Sequence, residues 1–188
     1  MVAAEASGPL HLVLGPARSG KSRWAEHLAA SSGQRVVYVA TGPDRPNDDD
    51  WQQRLAHHRQ RRPADWSTLE LPDPQQLPAA LSDLPAQHTA LVDSLGSWVA
   101  AALGLSDEPW QLLCEQLLQS AAVSRAHLIV VSEQTGWGVV PPTAIGGLFR
   151  DRLGSIERQL VARADDSWLV VAGRAIRISD LGQAVPAD

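Results

Sequence analysis

The feature that most constrains the fold is the stretch "LVLGPARSGKSRWAE", residues 12–26. An apolar run leads into a turn rich in glycine and serine, and the turn leads into residues typical of a helix. Glycines let backbone N–H groups curl around phosphate oxygens, and the start of the following helix adds unpaired N–H groups and a positive dipole end. The stretch therefore predicts a strand, a phosphate-binding turn and a helix in immediate succession.

The turn itself, "GPARSGKS", fits the pattern G-x-x-x-x-G-K-S of a P-loop. In this pattern Lys21 is expected to reach the outer phosphates, and the Ser22 hydroxyl is expected to ligate Mg²⁺. The pattern predicts a nucleoside triphosphate site but does not separate an NTPase from a kinase. The predicted nucleotide-binding residues of the loop are Gly15, Pro16, Ala17, Arg18, Ser19, Gly20, Lys21 and Ser22.

A P-loop also needs an acidic residue at the end of a neighbouring strand, and "ALVDS" supplies Asp93 there. Asp93 is expected to hold Mg²⁺ directly or through water, together with Ser22. The alternative is that Asp93 caps the helix that "DSLGSW" would also allow.

Short apolar runs alternate with helical patterns along the chain, which predicts a doubly wound α/β domain. Nearly continuous Val, Leu and Ile suit strands of a parallel sheet that helices cover on both faces. We therefore expect a P-loop NTPase-like fold with a mostly parallel sheet and an antiparallel C-terminal edge strand. The predicted strands are 10–15, 35–40, 89–94, 127–132, 167–173 and 174–179; helices are expected from Lys21, over 48–61, over 108–124 and over 142–164, with loops at 71–78 and 83–88.

Length and charge limit the classes of function. The 188 residues suit one catalytic domain over 10–188, after a disordered tail over 1–9. The net charge of −5 argues against sequence-independent nucleic-acid binding, which needs a basic surface. The chain has neither a long apolar run nor a basic leader, so we expect a cytoplasmic enzyme without a membrane span.

The segment "DDDWQQRLAHHRQRRPADWSTLE", residues 48–70, concentrates cations. Arg54, His58 and Arg62 follow one another at intervals of four, so they share one helix face. Such a face could clamp phosphates, and a neutral histidine on it could attack phosphorus. The alternative is a solvated basic face with two surface histidines, and spacing alone favours that alternative.

Over about residues 12–178 the sequence resembles the adenosylcobinamide kinase/adenosylcobinamide-phosphate guanylyltransferase family of cobalamin biosynthesis. "GPARSGKS" matches the family's opening motif except at Pro16, and "RLAHHRQRRPADWSTLE" and "FRDRLG" match later motifs. The segment "EQTGWG" is one residue longer than its family counterpart, and Glu157 and Arg158 stand where the family has Asn and Gln.

The resemblance implies a bifunctional enzyme. ATP or GTP would first phosphorylate adenosylcobinamide; GTP would then guanylylate His58, and the GMP would pass to adenosylcobinamide-phosphate to give adenosyl-GDP-cobinamide. The resemblance also implies Mg²⁺ and a homo-oligomer. With the catalytic residues His58 and Lys21, it implies that further residues contact the nucleotide: Thr41, Gly42, Arg59, Arg62, Glu70 and Asp93.

Some alternatives stay open on the sequence. Glu133, Gly136 and Gly138 follow an apolar strand, and the glycines fit either a ligand-binding loop or a tight turn with positive φ. A P-loop kinase for another small alcohol would explain Lys21 and Asp93 but not the histidine segment. A catalytically silent nucleotide-binding protein would explain the departures from the family motifs.

Overall fold

The computed structural model describes residues 7–42, 62–138 and 141–186, together with the single positions 53, 56 and 60. Those three positions are helical. Most of the helix expected over 48–61 lies outside the described residues.

Seven strands form one sheet in the order β3-β2-β4-β5-β1-β6-β7. Every neighbouring pair is parallel except β6 and β7, which form an antiparallel hairpin at one edge. The mostly parallel sheet and its antiparallel C-terminal edge strand are confirmed. The strands are β1 (Leu10–Gly15), β2 (Arg35–Ala40), β3 (Ser67–Glu70), β4 (His88–Asp93), β5 (His127–Glu133), β6 (Asp166–Val171) and β7 (Arg174–Arg177).

Five α-helices are described: α1 (Lys21–Ser31), α2 (Gln76–Asp83), α3 (Leu95–Ala101), α4 (Asp107–Val123) and α5 (Ala144–Val161). The sequence analysis predicted α1, α4 and α5 within a few residues and raised α3 only as the helix that "DSLGSW" would allow. It did not predict α2 or β3. The loop expected over 71–78 is wrong at its end, because α2 begins at Gln76. A short 3-10 helix, Ile178–Asp180, follows β7 where strand was expected to continue.

Apolar side chains are buried on both faces of the sheet. One cluster packs α2 to α5 against Leu12, Val92 and Leu128, and the other packs α1 against Val13 and Ile129. Successive residues of β1 therefore face opposite layers, as strands that are covered on both faces require.

Buried polar contacts fix α3 and its surroundings. Trp98 is fully buried, and its indole N–H donates to the Pro74 carbonyl at 2.8 Å. Arg152 of α5 is buried and donates to the carbonyls of Ala102 and Leu105, in the turn that follows α3. These contacts hold α3, which begins directly after the end of β4, in a fixed position.

Candidate nucleotide-binding active site

The phosphate turn joins β1 to α1 as the sequence predicted. Gly20 is the N-cap of α1 with φ 97°, a left-handed conformation that favours glycine. Gly15 has no room for a side chain, because a Cβ there would collide with the Val170 carbonyl of β6. The Ser19 hydroxyl accepts from the Lys21 N–H at 3.3 Å, which ties the middle of the turn to the first residue of the helix. The turn therefore has the tight backbone and open helix end that phosphate binding needs.

Acidic residues end three strands at the same edge of the sheet. Ala40 pairs with both Glu70 and Asp93, and Gly15 pairs with Glu133. Because the strands are parallel, all of these residues lie at the carboxyl edge, where ligands of open α/β sheets bind. The structure thus brings Asp93 to the edge that holds the phosphate turn.

Asp93 is held by a tyrosine that the sequence analysis did not single out. The Tyr38 hydroxyl donates to Asp93 Oδ2 at 2.8 Å. The guanidinium carbon of Arg62 lies 3.3 Å from the centre of the Tyr38 ring, and Arg62 also donates to Thr68 Oγ1 at 3.3 Å. Desolvation and the Asp93 carboxylate raise the pKa of Tyr38 above its ordinary value, so the phenol remains a donor. Arg62 is therefore linked to Asp93 through one aromatic ring.

Ser94, rather than Asp93, caps α3. Its hydroxyl accepts from the Ser97 N–H at 3.3 Å. The backbone of Ser94 is bonded in both directions to Thr41, whose hydroxyl accepts from the Ser94 N–H at 2.9 Å and donates to the Ser94 carbonyl at 2.6 Å. These two hydrogen bonds join the ends of β2 and β4 through the Thr41 side chain, which is 1% exposed.

Glu133 ends β5 between the phosphate turn and Asp93. Its Oε2 accepts from the Gly96 N–H of α3 at 3.0 Å, and Ser94 supplies a second, side-chain hydrogen bond. Burial raises the pKa of Glu133, although Lys21 and these hydrogen bonds oppose the rise.

A second buried glutamate lies behind the first. Glu157 of α5 accepts from the Ser132 hydroxyl at 2.7 Å and from the Gln134 side-chain amide. Burial raises the pKa of Glu157 as well. The Gln134 N–H in turn donates to the Gly15 carbonyl at 2.9 Å. Glu157, which replaces an Asn of the family pattern, therefore supports the residue that is bonded to the phosphate turn.

Other predicted site residues are less informative. Glu70 is exposed at the end of β3, and Gly42 follows Thr41. Gly136 and Gly138 are exposed, and Gly136 lies in a turn, but neither has the positive φ that the tight-turn interpretation expected. Arg54, His57, His58 and Arg59 lie outside the described residues.

Among the described residues no group of three or more His, Cys, Asp or Glu side chains could hold a metal ion by itself. Ser22 and Asp93 offer a hydroxyl and a carboxylate, the oxygen donors that Mg²⁺ prefers alongside substrate phosphates. The donor chemistry therefore fits a magnesium ion shared with a nucleotide. In the described part of the chain, no helix is long and apolar enough to cross a membrane.

Comparison with solved structures agrees with this fold. The chain aligns with an ATPase from the type III secretion system of pathogenic bacteria at TM-score 0.56 and 12% identity, over 93% of this chain and 53% of the ATPase. It aligns with a Pyrococcus horikoshii OT3 protein described as Project ID PH0250 at TM-score 0.55 and 9% identity, over 93% and 88% of the two chains. The fold is that of the P-loop NTPases.

Comparison of sequences is more specific. The model of the cobinamide kinase/cobinamide phosphate guanyltransferase family matches residues 11–178. The bifunctional adenosylcobalamin biosynthesis protein CobP of Pseudomonas aeruginosa is 41% identical over 165 residues, which cover 86% of this chain and 92% of that protein. The corresponding protein CobU of Escherichia coli K12 is 36% identical over 182 residues, 89% of this chain and 98% of the other. The chain therefore belongs to the cobinamide kinase/cobinamide phosphate guanyltransferase family.

Proposed function

We propose that this chain phosphorylates adenosylcobinamide with ATP or GTP, and then transfers GMP from GTP to adenosylcobinamide-phosphate through a covalent His58–GMP intermediate. Membership of a family described by these two activities carries the overall function. The phosphate turn and the acidic edge beside it are the parts of the structure that such phosphoryl and nucleotidyl transfers require. A kinase for another alcohol would leave this family relationship unexplained.

The proposed roles follow from position. The backbone of Gly15 to Ser22 and the Lys21 ammonium would bind the triphosphate and offset charge on the leaving group. Ser22 and Asp93 would hold Mg²⁺, which when bound neutralises charge on the phosphates. Thr41, Gly42, Arg59, Arg62 and Glu70 would complete the nucleotide site, where an exposed carboxylate such as Glu70 can accept from the N–H groups of guanine.

The nucleophile is assigned to His58 by the resemblance to the family motif, and the position of Arg62 supports that assignment. Arg62 follows His58 by four positions in the sequence, and its guanidinium stacks on Tyr38, whose hydroxyl donates to Asp93. This anchoring of Arg62 beside the nucleotide edge supports a role for the segment in catalysis rather than as a solvated face. A histidine intermediate also avoids direct attack of one phosphate anion on another, since it divides the transfer into two steps.

The test follows label from α-labelled GTP into the protein, with peptide mapping. We expect His58→Ala to lose covalent GMP and to keep phosphorylation of adenosylcobinamide, because the kinase step needs no protein nucleophile. His57→Ala is the matched control and should take up label. The wild-type adduct should be labile in acid and stable in alkali, as a phosphoramidate is. Label retained in His58→Ala would disprove the assignment.

A second variant tests whether one nucleotide site serves both steps. The described residues contain one phosphate turn, so Lys21→Ala should abolish both phosphorylation and guanylylation. Full guanylylation by Lys21→Ala would instead require another nucleotide site. Wild-type protein that binds GTP but releases no pyrophosphate and takes up no label would support a silent nucleotide-binding protein.

We also propose a cytoplasmic homo-oligomer, as the family resemblance implies. Sedimentation equilibrium of the purified protein measures the oligomeric state, and a single monomeric species would contradict this part of the proposal.

A further inference from the structure

Glu133 occupies the one strand end between the phosphate turn and Asp93. Its strand, β5, lies between β1 and β4 in the sheet. Glu133 is in register with Gly15, while Asp93 pairs with Val131, two residues before Glu133. An acceptor group bound next to the outer phosphate of a nucleotide in the turn would therefore lie beside this carboxylate.

The carboxylate is fixed rather than loosely placed. The Gly96 N–H donates to Glu133 Oε2 at 3.0 Å, and Ser94 adds a side-chain hydrogen bond. Gly96 is buried, and a Cβ at this position would collide with the same Glu133 oxygen. The start of α3 is thus shaped around the Glu133 side chain, which remains partly accessible at the sheet edge.

The surroundings make Glu133 a stronger base than an ordinary glutamate. Burial raises its pKa, and the Asp93 carboxylate acts in the same direction. Glu157, the other glutamate of this region, is also close enough for the two carboxylates to repel each other. Lys21 and the hydrogen bonds from Ser94 and Gly96 oppose the rise, which keeps the carboxylate available as an acceptor.

The two reactions of the family differ in their need for such a base. In the kinase step the nucleophile is a hydroxyl, which must lose its proton as its oxygen bonds to phosphorus. In the guanylyl transfer the accepting nucleophile is a phosphate monoester, whose second pKa is about 6, so its oxygen is already ionised at neutral pH. A proton acceptor is therefore required in the first step and not in the second.

We propose that Glu133 is the catalytic proton acceptor of the kinase step. The hydroxyl oxygen of cobinamide bonds to the γ-phosphorus while the bond from that phosphorus to the β,γ-bridging oxygen breaks and the nucleoside diphosphate leaves. The hydroxyl proton passes to a Glu133 carboxylate oxygen and then to solvent. This assignment rests on the proposed function for the kinase step alone and is independent of the His58 intermediate.

The experiment compares Glu133→Gln with wild type in two separate assays. One measures phosphorylation of adenosylcobinamide; the other measures GMP transfer from GTP to adenosylcobinamide-phosphate supplied ready-made. We expect the kcat of phosphorylation to fall by a factor of about 100 or more. The KM for the nucleotide and the rate of GMP transfer should stay within about twofold of wild type, since no transition-state interaction of the second step is removed.

Glu157→Gln is the matched control. Burial also raises the pKa of this neighbouring glutamate, but its side chain is bonded to Ser132 of β5 and does not end a strand. It should change both rates by a similar factor and preserve their ratio. Should Glu133→Gln fail to fold, Glu133→Asp decides the matter: it retains a carboxylate but displaces it, so phosphorylation should slow while GMP transfer does not.

Equal effects of Glu133→Gln or Glu133→Asp on the two reactions, or undiminished phosphorylation in the folded Gln variant, would overturn the assignment. Wild-type protein that phosphorylates no adenosylcobinamide would instead overturn the proposed function. The two failures are thus distinguished by the wild-type measurement.

Discussion

Tyr38 is a buried hydrogen-bond donor to the Asp93 carboxylate. Its ring is 3% exposed, and its hydroxyl is bonded to an Asp93 carboxylate oxygen while Arg62 covers its face. A hydrogen bond to a charged group contributes about 1.5–3 kcal/mol, so loss of this bond should be measurable in both stability and ligand binding.

Tyr38→Phe is expected to lower the free energy of unfolding by about 1.5–3 kcal/mol, because the ring remains under Arg62 and only the hydrogen bond to the Asp93 carboxylate is lost. The Mg²⁺ concentration needed for half-maximal GTP binding should rise severalfold, since Asp93 loses a donor that orients its carboxylate. Urea denaturation and calorimetric GTP titrations at varied Mg²⁺ measure the two effects.

The control for this variant is Thr68→Val, which removes the oxygen that Arg62 donates to but leaves Tyr38 and Asp93 intact. Thr68→Val should leave the Mg²⁺ dependence of GTP binding as in wild type. An unaltered Mg²⁺ dependence in Tyr38→Phe would show that Tyr38 does not position Asp93 for the metal.

At the residue scale the sequence predicted what depends on local spacing. Lys21 and Ser22 follow from an eight-residue pattern, and Asp93 follows from its place after an apolar strand. Tyr38 lies 55 positions from Asp93, and Glu157 lies 25 positions from Ser132, so no local pattern indicates either contact. Such contacts depend on which strands become neighbours, and the sheet order decides that only in the folded chain.

Element by element, burial on both faces explains which strands were predictable. Four strands were located within about one residue: β1, β2, β4 and β5. Each is a nearly continuous run of apolar residues, as is typical of parallel strands that helices cover on both faces. β3 has four residues, most of them exposed, and therefore gives no such signal. The eight-residue α2 and seven-residue α3 are too short for a helical period to stand out.

The first turn of α3 positions the proposed base, because its Gly96 N–H donates to the Glu133 carboxylate. Gly96→Ala would place a methyl group against the Glu133 carboxylate and so displace it. We expect phosphorylation of adenosylcobinamide to fall by about tenfold or more, because general-base catalysis depends on hydrogen-bonding distance to the acceptor. GMP transfer to adenosylcobinamide-phosphate should change much less.

Gly104→Ala is a matched control in the turn after α3, since a Cβ there has no heavy atom within 4 Å and the backbone φ is not positive. It should leave both rates near those of wild type. If Gly96→Ala slows the two reactions equally, the contact between α3 and Glu133 serves only the fold.

Across the whole molecule, the two edges of the sheet have different chemistry. The carboxyl ends of the parallel strands carry the phosphate turn with Asp93 and Glu133. The amino-terminal ends of the same strands carry a histidine pair. His127 Nε2 and His11 Nδ1 lie 3.1 Å apart, and His11 Nε2 lies 3.8 Å from Asp166 Oδ2. Arg177 is paired with the same Asp166 oxygen at 3.2 Å. The His11–His127 pair joins β1 to β5 at the end of the sheet opposite the nucleotide site. It therefore provides a way to measure stability apart from catalysis.

A hydrogen bond between two imidazoles needs a donor on one ring and an unprotonated nitrogen on the other, so protonation of both rings breaks it. Burial and, to a smaller extent, the His11 ring lower the pKa of His127 to about 4, although Asp165 acts in the opposite direction. Burial also lowers the pKa of His11, although Asp166 and Asp165 oppose this, with Arg177 acting in the same direction as burial. The folded protein therefore binds fewer protons at these rings than the unfolded chain, whose histidines titrate near 6.5.

The sign of the pH dependence follows from that difference. Where the unfolded state binds more protons, stability rises with pH, so this contribution is present above about pH 6.5 and is lost as the pH falls toward 4. We expect the free energy of unfolding from urea titrations to decrease over this interval, and His127→Gln to flatten the decrease by removing one of the two rings. The same change at the exposed His27 of α1, outside this cluster, should leave the slope as in wild type. A slope unaffected by His127→Gln would show that the histidine pair does not set the acid sensitivity of the fold.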